Sequence, residues 1–409
     1  MSNLDFPAKS KAPAVTGKPL ERIARLAGVI RDGGDRAQAL RRLPQDTVDA
    51  LIDAGLFRFA LPRELGGDDA SITETVDILA AIAAIDASVG WNVMLGSEIN
   101  AMAAGGMDRA LAKEVYLDDP RVVMCGGGGP GSQPSRAEKQ PDGSYRVWGQ
   151  TTFISGCHNA TWCFMMTPVF AGGELQKDAN GAPVVRSFFL HKSQWEIVDT
   201  WDVAGLRGSG SHDVRANGAI VPAKWADVQL FVLPAHYPNP AYRTPVALRL
   251  AYNKAAIAIG VARGALDEFY ALAQTKVPWL STAALRDRPV AQQRAGEAEA
   301  QFRAARAYLM EALHEVEREL EAGREIPSPA KTQNARLACT HAANSCMQVV
   351  DVVHNTCGTS AMRMNNALER KLRDAHGAAT HRWVAHPLYG ELGKILLGHE
   401  ATPEFLGLQ

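Results

Sequence analysis

Two glycine-rich stretches and a late group of histidines are the residues whose types and spacing first suggest chemistry. The run 126–129 and the loop Gly205-Leu206-Arg207-Gly208-Ser209-Gly210-Ser211 can turn successive backbone N–H groups toward an anion, or can simply supply tight turns in a β structure. No G-x-x-x-x-G-K-[ST] occurs, and no G-x-G-x-x-G leads from a strand into a helix, so the P-loop and dinucleotide-fingerprint readings fail. His376, His381 and His386 recur every five residues, and His354 precedes them. That interval does not put two imidazoles on one helical face, and no metal site is expected. The six cysteines form no C-x-x-C pair and no zinc-type spacing with the histidines. Cys339 and Cys346, one heptad apart, are expected in a helical core. Trp91, Trp162, Trp201 and Trp383 are large enough to line a pocket, although packing alone explains each.

The elements that must position these residues fall into three textures. From Leu20 to about Leu117, segments such as LERIARLAGVIRD and DTVDALIDAGLF place apolar residues three or four apart, and TETVDILAAIAAIDASVGWNVML reads as a further, largely buried helix. From Val122 the chain turns rich in Gly, Pro and Ser. PDGSYRVWG and the short runs ATWCFMMTPVF, VVRSFFLHK and WEIVDTW predict a compact β barrel or sandwich. Helical spacing returns near Arg243 and persists to about Leu397, with one long helix through Phe302, Leu309 and Val316, which predicts a four-helix bundle. The expected organisation is a disordered arm at 1–19, an N-terminal helical domain at 20–121, a β-barrel domain at 122–230, a C-terminal four-helix bundle at 231–398 and a tail at 399–409. The fold class is α+β.

Lys and Arg number 43 against 44 Asp and Glu, so no basic field exists for nucleic acid or an anionic membrane, and a small-molecule ligand is expected. The first residues carry Lys, Pro and Ser without an apolar core, which argues against a signal peptide or membrane span. Reduced thiols and a cytoplasmic location fit this composition.

Five landmarks then carry a resemblance: Leu61-Pro62 through Gly66-Gly67, TFISGCHNATW, TWDVAGLRGSGSHDV ending in Val221-Pro222, GVARGALD, and ERKLRDAHGAATH. In this order, from about Leu20 to Gly398, they resemble the acyl-CoA dehydrogenase superfamily, and within it the oxygenase components of two-component flavin monooxygenases such as 4-hydroxyphenylacetate hydroxylase and dibenzothiophene monooxygenase. The resemblance implies N-terminal helices, a middle β barrel and a C-terminal four-helix bundle, with flavin where barrel and bundle meet, and a homotetramer. It implies FADH2 or FMNH2 delivered by a separate NAD(P)H:flavin reductase, O2 as co-substrate, and oxygenation of a phenol- or indole-type aromatic through a C4a-(hydro)peroxyflavin. By position, Phe153 and Ser155 match residues facing the isoalloxazine ring, Ser155 near N5. Arg207, Ser209 and Ser211 match a flavin-contacting loop, and His381 matches a histidine beside the reactive edge. The catalytic residues are thus expected to be Ser155 and His381, with Trp91, Asn92, Asn100, Tyr252 and Trp383 as substrate-binding candidates.

The chain departs from the dehydrogenase pattern at the catalytic base. The two positions that carry the α-proton-abstracting carboxylate in dehydrogenases match Arg382 and Leu250, and no Asp or Glu lies between Val228 and Leu266. A guanidinium cannot be that base. Dehydrogenation and carboxylate-dependent nitroalkane oxidation are therefore disfavoured, and the alternative is a flavin dehydrogenase or oxidase with an atypical base. A hydroxyl near N5 and an imidazole able to move a proton near neutral pH suit oxygenation.

Overall fold

The computed structural model describes residues 15–400 apart from 128, 130, 227, 231, 232, 234 and 235. Most of the expected arm, the end of the tail and Gly128 of the glycine run lie outside the described residues.

Five helices come first: α1 (Pro19–Leu40), α2 (Gln45–Asp53), α3 (Ile72–Ile85), α4 (Ala87–Gly106) and α5 (Arg109–Asp118). The single helix expected across α3 and α4 is two. Asp86 ends α3 with an extended backbone, and its Oδ1 accepts from Val89 N at 2.9 Å to cap α4. A lone Asp inside an apolar helical pattern was the available signal. At the start of α3, Ser71 and Glu74 form a reciprocal capping box.

The strands follow: β1 (Met124–Gly127), β2 (Arg136–Lys139), β3 (Tyr145–Thr151), β4 (Trp162–Ala171), β5 (Glu174–Leu175), β6 (Val185–His191), β7 (Glu196–Val198) and β8 (Asp213–Val221). They run in the order β1-β4-β2-β3-β8-β7, with β5 and β6 also paired to β4. β1 and β2 lie parallel to β4, whereas β3 with β8 and β4 with β6 are antiparallel. The result is a curled half-barrel, where the sequence predicts a compact β barrel or sandwich. Closure requires both edges to pair, and the edge strands β1 and β7, four and three residues long, do not pair with each other among the described residues.

The last helices are α6 (Val246–Thr275), α7 (Pro289–Glu321), α8 (Pro329–Cys357), α9 (Ala367–Ala379) and α10 (Leu388–Leu396). One hydrophobic core runs through α1–α4 and α6–α9 without a break, from Ile23 to Val384, while a second joins α4 and α5 to the sheet. The crossing of α3 with α6 is made by glycine. A Cβ on Gly260 would lie 2.4 Å from Ala80 O, and one on Gly264 would lie 2.2 Å from Ala84 O. The spacing in GVARGALD therefore permits backbone-to-backbone approach. Among the described residues no helix is long and apolar enough to cross a membrane, and all six cysteines are free and buried.

Candidate active site

The site forms where two loops of the sheet meet helices α4 and α9. The loop after β3 carries Phe153, Ile154 and Ser155, and the loop before β8 carries Ser209, Ser211 and His212. Backbone bonds lace them together, Ile154 N to His212 O at 3.0 Å and Gly156 N to Ser209 O at 2.9 Å. Phe153 adopts a left-handed φ of 59°, leaving its ring 71% exposed and edge-on to Trp201 at 6.0 Å. Such a conformation costs on the order of 1 kcal/mol for a side chain with a Cβ, and here it accompanies a flat apolar face turned outward.

Behind Phe153 lies a chain of hydroxyls. Ser155 Oγ is 2.7 Å from Ser211 Oγ, which is 2.7 Å from Ser209 Oγ, and Trp91 Nε1 donates to Ser155 Oγ at 3.1 Å. Ser155 is half-buried, whereas Ser209 and Ser211 are buried behind it. The structure places the Ser209 and Ser211 hydroxyls in support of Ser155. Arg207 is engaged by the protein itself. Its guanidinium donates to Gln38 O and Val203 O at 3.2 and 2.7 Å and reaches Asp202 at 3.4 Å, which ties the loop to α1. Gly208 completes that contact, because a Cβ there would sit 2.6 Å from Ala37 Cβ and 2.9 Å from Ser88 Cβ.

From the helical side, the His381 ring meets Trp91 edge-on at 5.6 Å. Its Nδ1 accepts from Trp383 N at 3.4 Å, so the proton of the neutral ring sits on Nε2. Burial, then the Lys254 ammonium and Arg382, push its pKa down to about 3. The imidazole expected to exchange protons near neutrality is instead neutral throughout the physiological range, and it offers an N–H donor.

The substrate-binding candidates separate. Trp91 is at the site. Asn92 donates to Ser88 O and Gly208 O and accepts from Asn159, which fixes the loops rather than facing a ligand. Asn100 is fully buried, and its amide is used by Phe57 O, Val122 O and Met124 N; it is structural. Trp383 lies between the Arg336 and Arg382 guanidinium groups. Tyr252 lines a small inner cavity instead.

Three groups escaped sequence reasoning. Lys254 on α6 is buried against both carboxylate oxygens of Glu98 on α4, at 2.7 and 2.9 Å, and Asn253 donates to the same carboxylate at 2.6 Å. Asp374 of the ERKLRDAHGAATH motif accepts from Leu206 N at 2.6 Å and anchors the glycine-rich loop. Burial, with Asp86 nearby, raises the Asp374 pKa to about 7 against the Leu206 hydrogen bond and two arginines. His212 accepts from Thr200 N and Trp201 N at 3.2 Å each, steadying Trp201 beside Phe153, and burial lowers its pKa. Asp374 and His212 stood inside conspicuous motifs. Lys254 had only one signal, a charged residue in an otherwise apolar helical run. Among the described residues no group of three or more His, Cys, Asp or Glu is placed to hold a metal.

Residues 252–386 match the family model described as acyl-CoA dehydrogenase, C-terminal domain. The chain superposes on the HsaA monooxygenase of Mycobacterium tuberculosis with a TM-score of 0.79 and 26% identity, covering 94% of this chain and 98% of that one. The chain is similar to the acyl-CoA dehydrogenase superfamily over residues 252–386, and to named monooxygenases over nearly all of its length. An indole-3-acetate monooxygenase of Acinetobacter baumannii is 29% identical over 88% of this chain and 89% of its own length. The oxygenase component of an FADH2-dependent resorcinol hydroxylase from a Rhizobium species is 26% identical over 99% of both.

Proposed function

We propose that this chain is the oxygenase component of a two-component, reduced-flavin-dependent monooxygenase acting on a small aromatic substrate. The observation that carries the reading is the pairing of a hydroxyl chain ending at Ser155 with a neutral imidazole at His381, both joined to Trp91, where a dehydrogenase needs a free carboxylate. The nearest carboxylate from α4, Glu98, is engaged by Lys254 and Asn253. Arg382, at one expected base position, is exposed and stacked on Trp383.

The residues fit a reduced flavin, FADH2 or FMNH2. Phe153 and Trp201 offer an apolar surface for a flat ring system, and Ser155 offers a hydroxyl whose orientation the buried serines control. When bound, reduced flavin supplies the electrons that activate O2. The chain's own contribution is to hold hydrogen bonds ready. Ser155 can donate a hydrogen bond outward while accepting one from Ser211, so the chain of hydroxyls orients its O–H without a charged side chain. His381 Nε2–H can stabilise negative charge on an oxygen beside it, and its low basicity keeps it from taking the proton away at neutral pH. The apolar surroundings exclude bulk water. The relatives named for indole-3-acetate and resorcinol support an aromatic substrate. The name of the resorcinol enzyme, an oxygenase component, supports a separate NAD(P)H:flavin reductase.

We also read the three textures as a helical domain, a sheet domain and a helical bundle in a homotetramer, an assembly that would cover the exposed Trp279 and Leu280 between α6 and α7. The deciding experiment supplies flavin through a separate reductase under oxygen-18 gas and screens phenols and indoles for labelled product. Incorporation of the label is expected, with no NAD(P)H oxidation until the reductase is added. Rapid NADH consumption by the chain alone, or reduction of bound oxidised flavin by a substrate without O2, would give the alternative dehydrogenase or oxidase reading.

A further inference from the structure

Away from the site of Phe153, Ser155 and His381, and sharing no residue with it, a cleft of about 280 Å³ opens between α1, α2, the end of α5 and the loop Leu65-Gly66-Gly67-Asp68. That volume is at the small end for an organic ligand. Two buried guanidinium groups line it, Arg22 and Arg58, against one lining carboxylate, Asp68. Asp68 is taken by Arg22 at 2.5 Å; Arg22 also donates to Ala54 O at 2.9 Å, and its Nε has no partner among the described residues. Arg58 has only carbonyl oxygens among the described residues. It donates from Nη2 to Leu65 O and Tyr116 O at 2.5 and 2.9 Å, from Nη1 to Pro120 O at 3.1 Å and from Nε to Gly66 O at 3.5 Å. One of its five N–H donors is left over.

Carbonyl oxygens satisfy hydrogen bonds without supplying the countercharge that a buried cation needs. Burial pushes the Arg58 pKa down, more than the Asp119 carboxylate nearby holds it up. The backbone also keeps both cations uncovered. A Cβ on Gly55 would lie 2.9 Å from Arg22 Nη1 and one on Gly66 would lie 3.1 Å from Arg58 Nη2, and both glycines hold a left-handed φ, 68° and 78°. Ile52 and the exposed Leu117 give the cleft apolar sides. The cleft is therefore short of one negative charge and offers an apolar wall beside it.

We propose that this cleft is a second, non-catalytic binding site for a small organic carboxylate, whose anionic end meets Arg58 beside Arg22 and whose short hydrocarbon body lies on Ile52 and Leu117. The lining discriminates among ligand classes. An ammonium is repelled by two guanidinium groups. A neutral amide can accept from the spare donor but brings no countercharge. A phosphate dianion exceeds the single missing charge next to Asp68 and has nothing to place on the apolar side. A monocarboxylate with three or four carbons satisfies the donor, the charge and the wall together. Because it draws α1, α2 and α5 onto one ligand in the folded state alone, its binding stabilises the protein.

The test is a calorimetric titration of the full chain, with thermal melting in parallel, using butyrate, butyramide and inorganic phosphate at one ionic strength set with chloride. Butyrate is expected to bind roughly tenfold or more tightly than butyramide, to bind more tightly than phosphate and to raise the melting temperature. Two variants at the cleft locate the binding, and both changed side chains reach solvent. Asp68→Asn removes the competing carboxylate and should tighten butyrate; Leu117→Glu puts a carboxylate on the apolar wall and should weaken it by about tenfold or more. Equal binding of butyrate and butyramide, no binding of either, or tighter binding of phosphate overturns the proposal. So does a butyrate affinity that neither folded variant changes, which would place the binding elsewhere. Should neither variant fold, the order of the three ligands on the native chain decides alone. The readout needs neither flavin nor product, so it stands or falls apart from the oxygenase reading.

Discussion

The sheet side and the helix side of the site solve the same problem, moving or holding protons in a dry place, by different means. On the sheet side, Ser155, Ser211 and Ser209 form a line of neutral hydroxyls in which donor and acceptor roles can reverse together. On the helix side the groups are fixed: His381 has one ring nitrogen occupied by Trp383 N–H, and Lys254 is pinned by Glu98. Trp91 touches both sides, through its N–H to Ser155 and its ring to His381. On the proposed reading, reversible hydrogen bonding belongs to the serines and fixed polarity to the imidazole. Changes on the two sides should therefore fail in different ways.

The largest effect is expected at His381. If its Nε2–H is a donor, His381→Ala should slow hydroxylation on the order of a hundredfold and raise H2O2 released per product. His381→Asn, which keeps an N–H, should retain clearly more activity than the alanine variant. Because the ring is already neutral down to a pKa of about 3, the native rate should show no inflection from this residue between pH 5 and 8. A titration near 6.5 that disappears in both variants, with Asn as poor as Ala, would restore the general-base role that sequence reasoning assigned.

Ser155→Ala breaks the sheet side instead. Losing a hydrogen bond to a charge-bearing group costs about 1.5–3 kcal/mol, roughly a tenfold to hundredfold change in the ratio of H2O2 to product. Ser211→Ala should give the same direction at smaller size, since Ser155 then keeps Trp91 but loses its relay partner. If Ser155→Ala lowers the melting temperature while leaving the coupling ratio unchanged, Ser155 serves only the turn that holds Phe153.

The two sides also differed in how far the sequence revealed them. The sheet-side residues sit in contiguous, polar, glycine-punctuated loops, so TFISGCHNATW and GLRGSGS mark Ser155, Ser209 and Ser211 in the sequence itself. His381 likewise stood at the end of a marked segment. The ion pair was not legible, because Glu98 and Lys254 are 156 residues apart and each reads locally as an odd charge in an apolar helix. Asn100 shows the opposite limit: a polar residue in a buried helix reads as a ligand group, whereas in the fold the backbone of three other residues holds its amide. Barrel closure was illegible too, since strand lengths at the two edges depend on pairing partners far along the chain.

Asp374 is where the two sides are joined, and it yields the smallest of the expected effects on turnover but the plainest one on stability. From α9 its carboxyl accepts the Leu206 N–H and so holds the serine loop against the helices. Its folded pKa of about 7 exceeds the ordinary carboxyl value of 3.8, chiefly through burial. The folded protein therefore binds a proton that the unfolded chain has released, over the window from about pH 4 to 7. Stability from this group is fully present below that window and is lost as pH rises through it, by about 1.4 kcal/mol per pH unit at most. Asp374→Asn keeps a neutral acceptor for Leu206 N–H and cannot ionise. The variant should match the native protein in stability near pH 3.5 and exceed it increasingly up to pH 8, a divergence that urea titrations at the two pH values would measure. Equal loss of stability at both would show that the second carboxyl oxygen makes a contact the amide cannot copy, and that the joint depends on shape rather than charge.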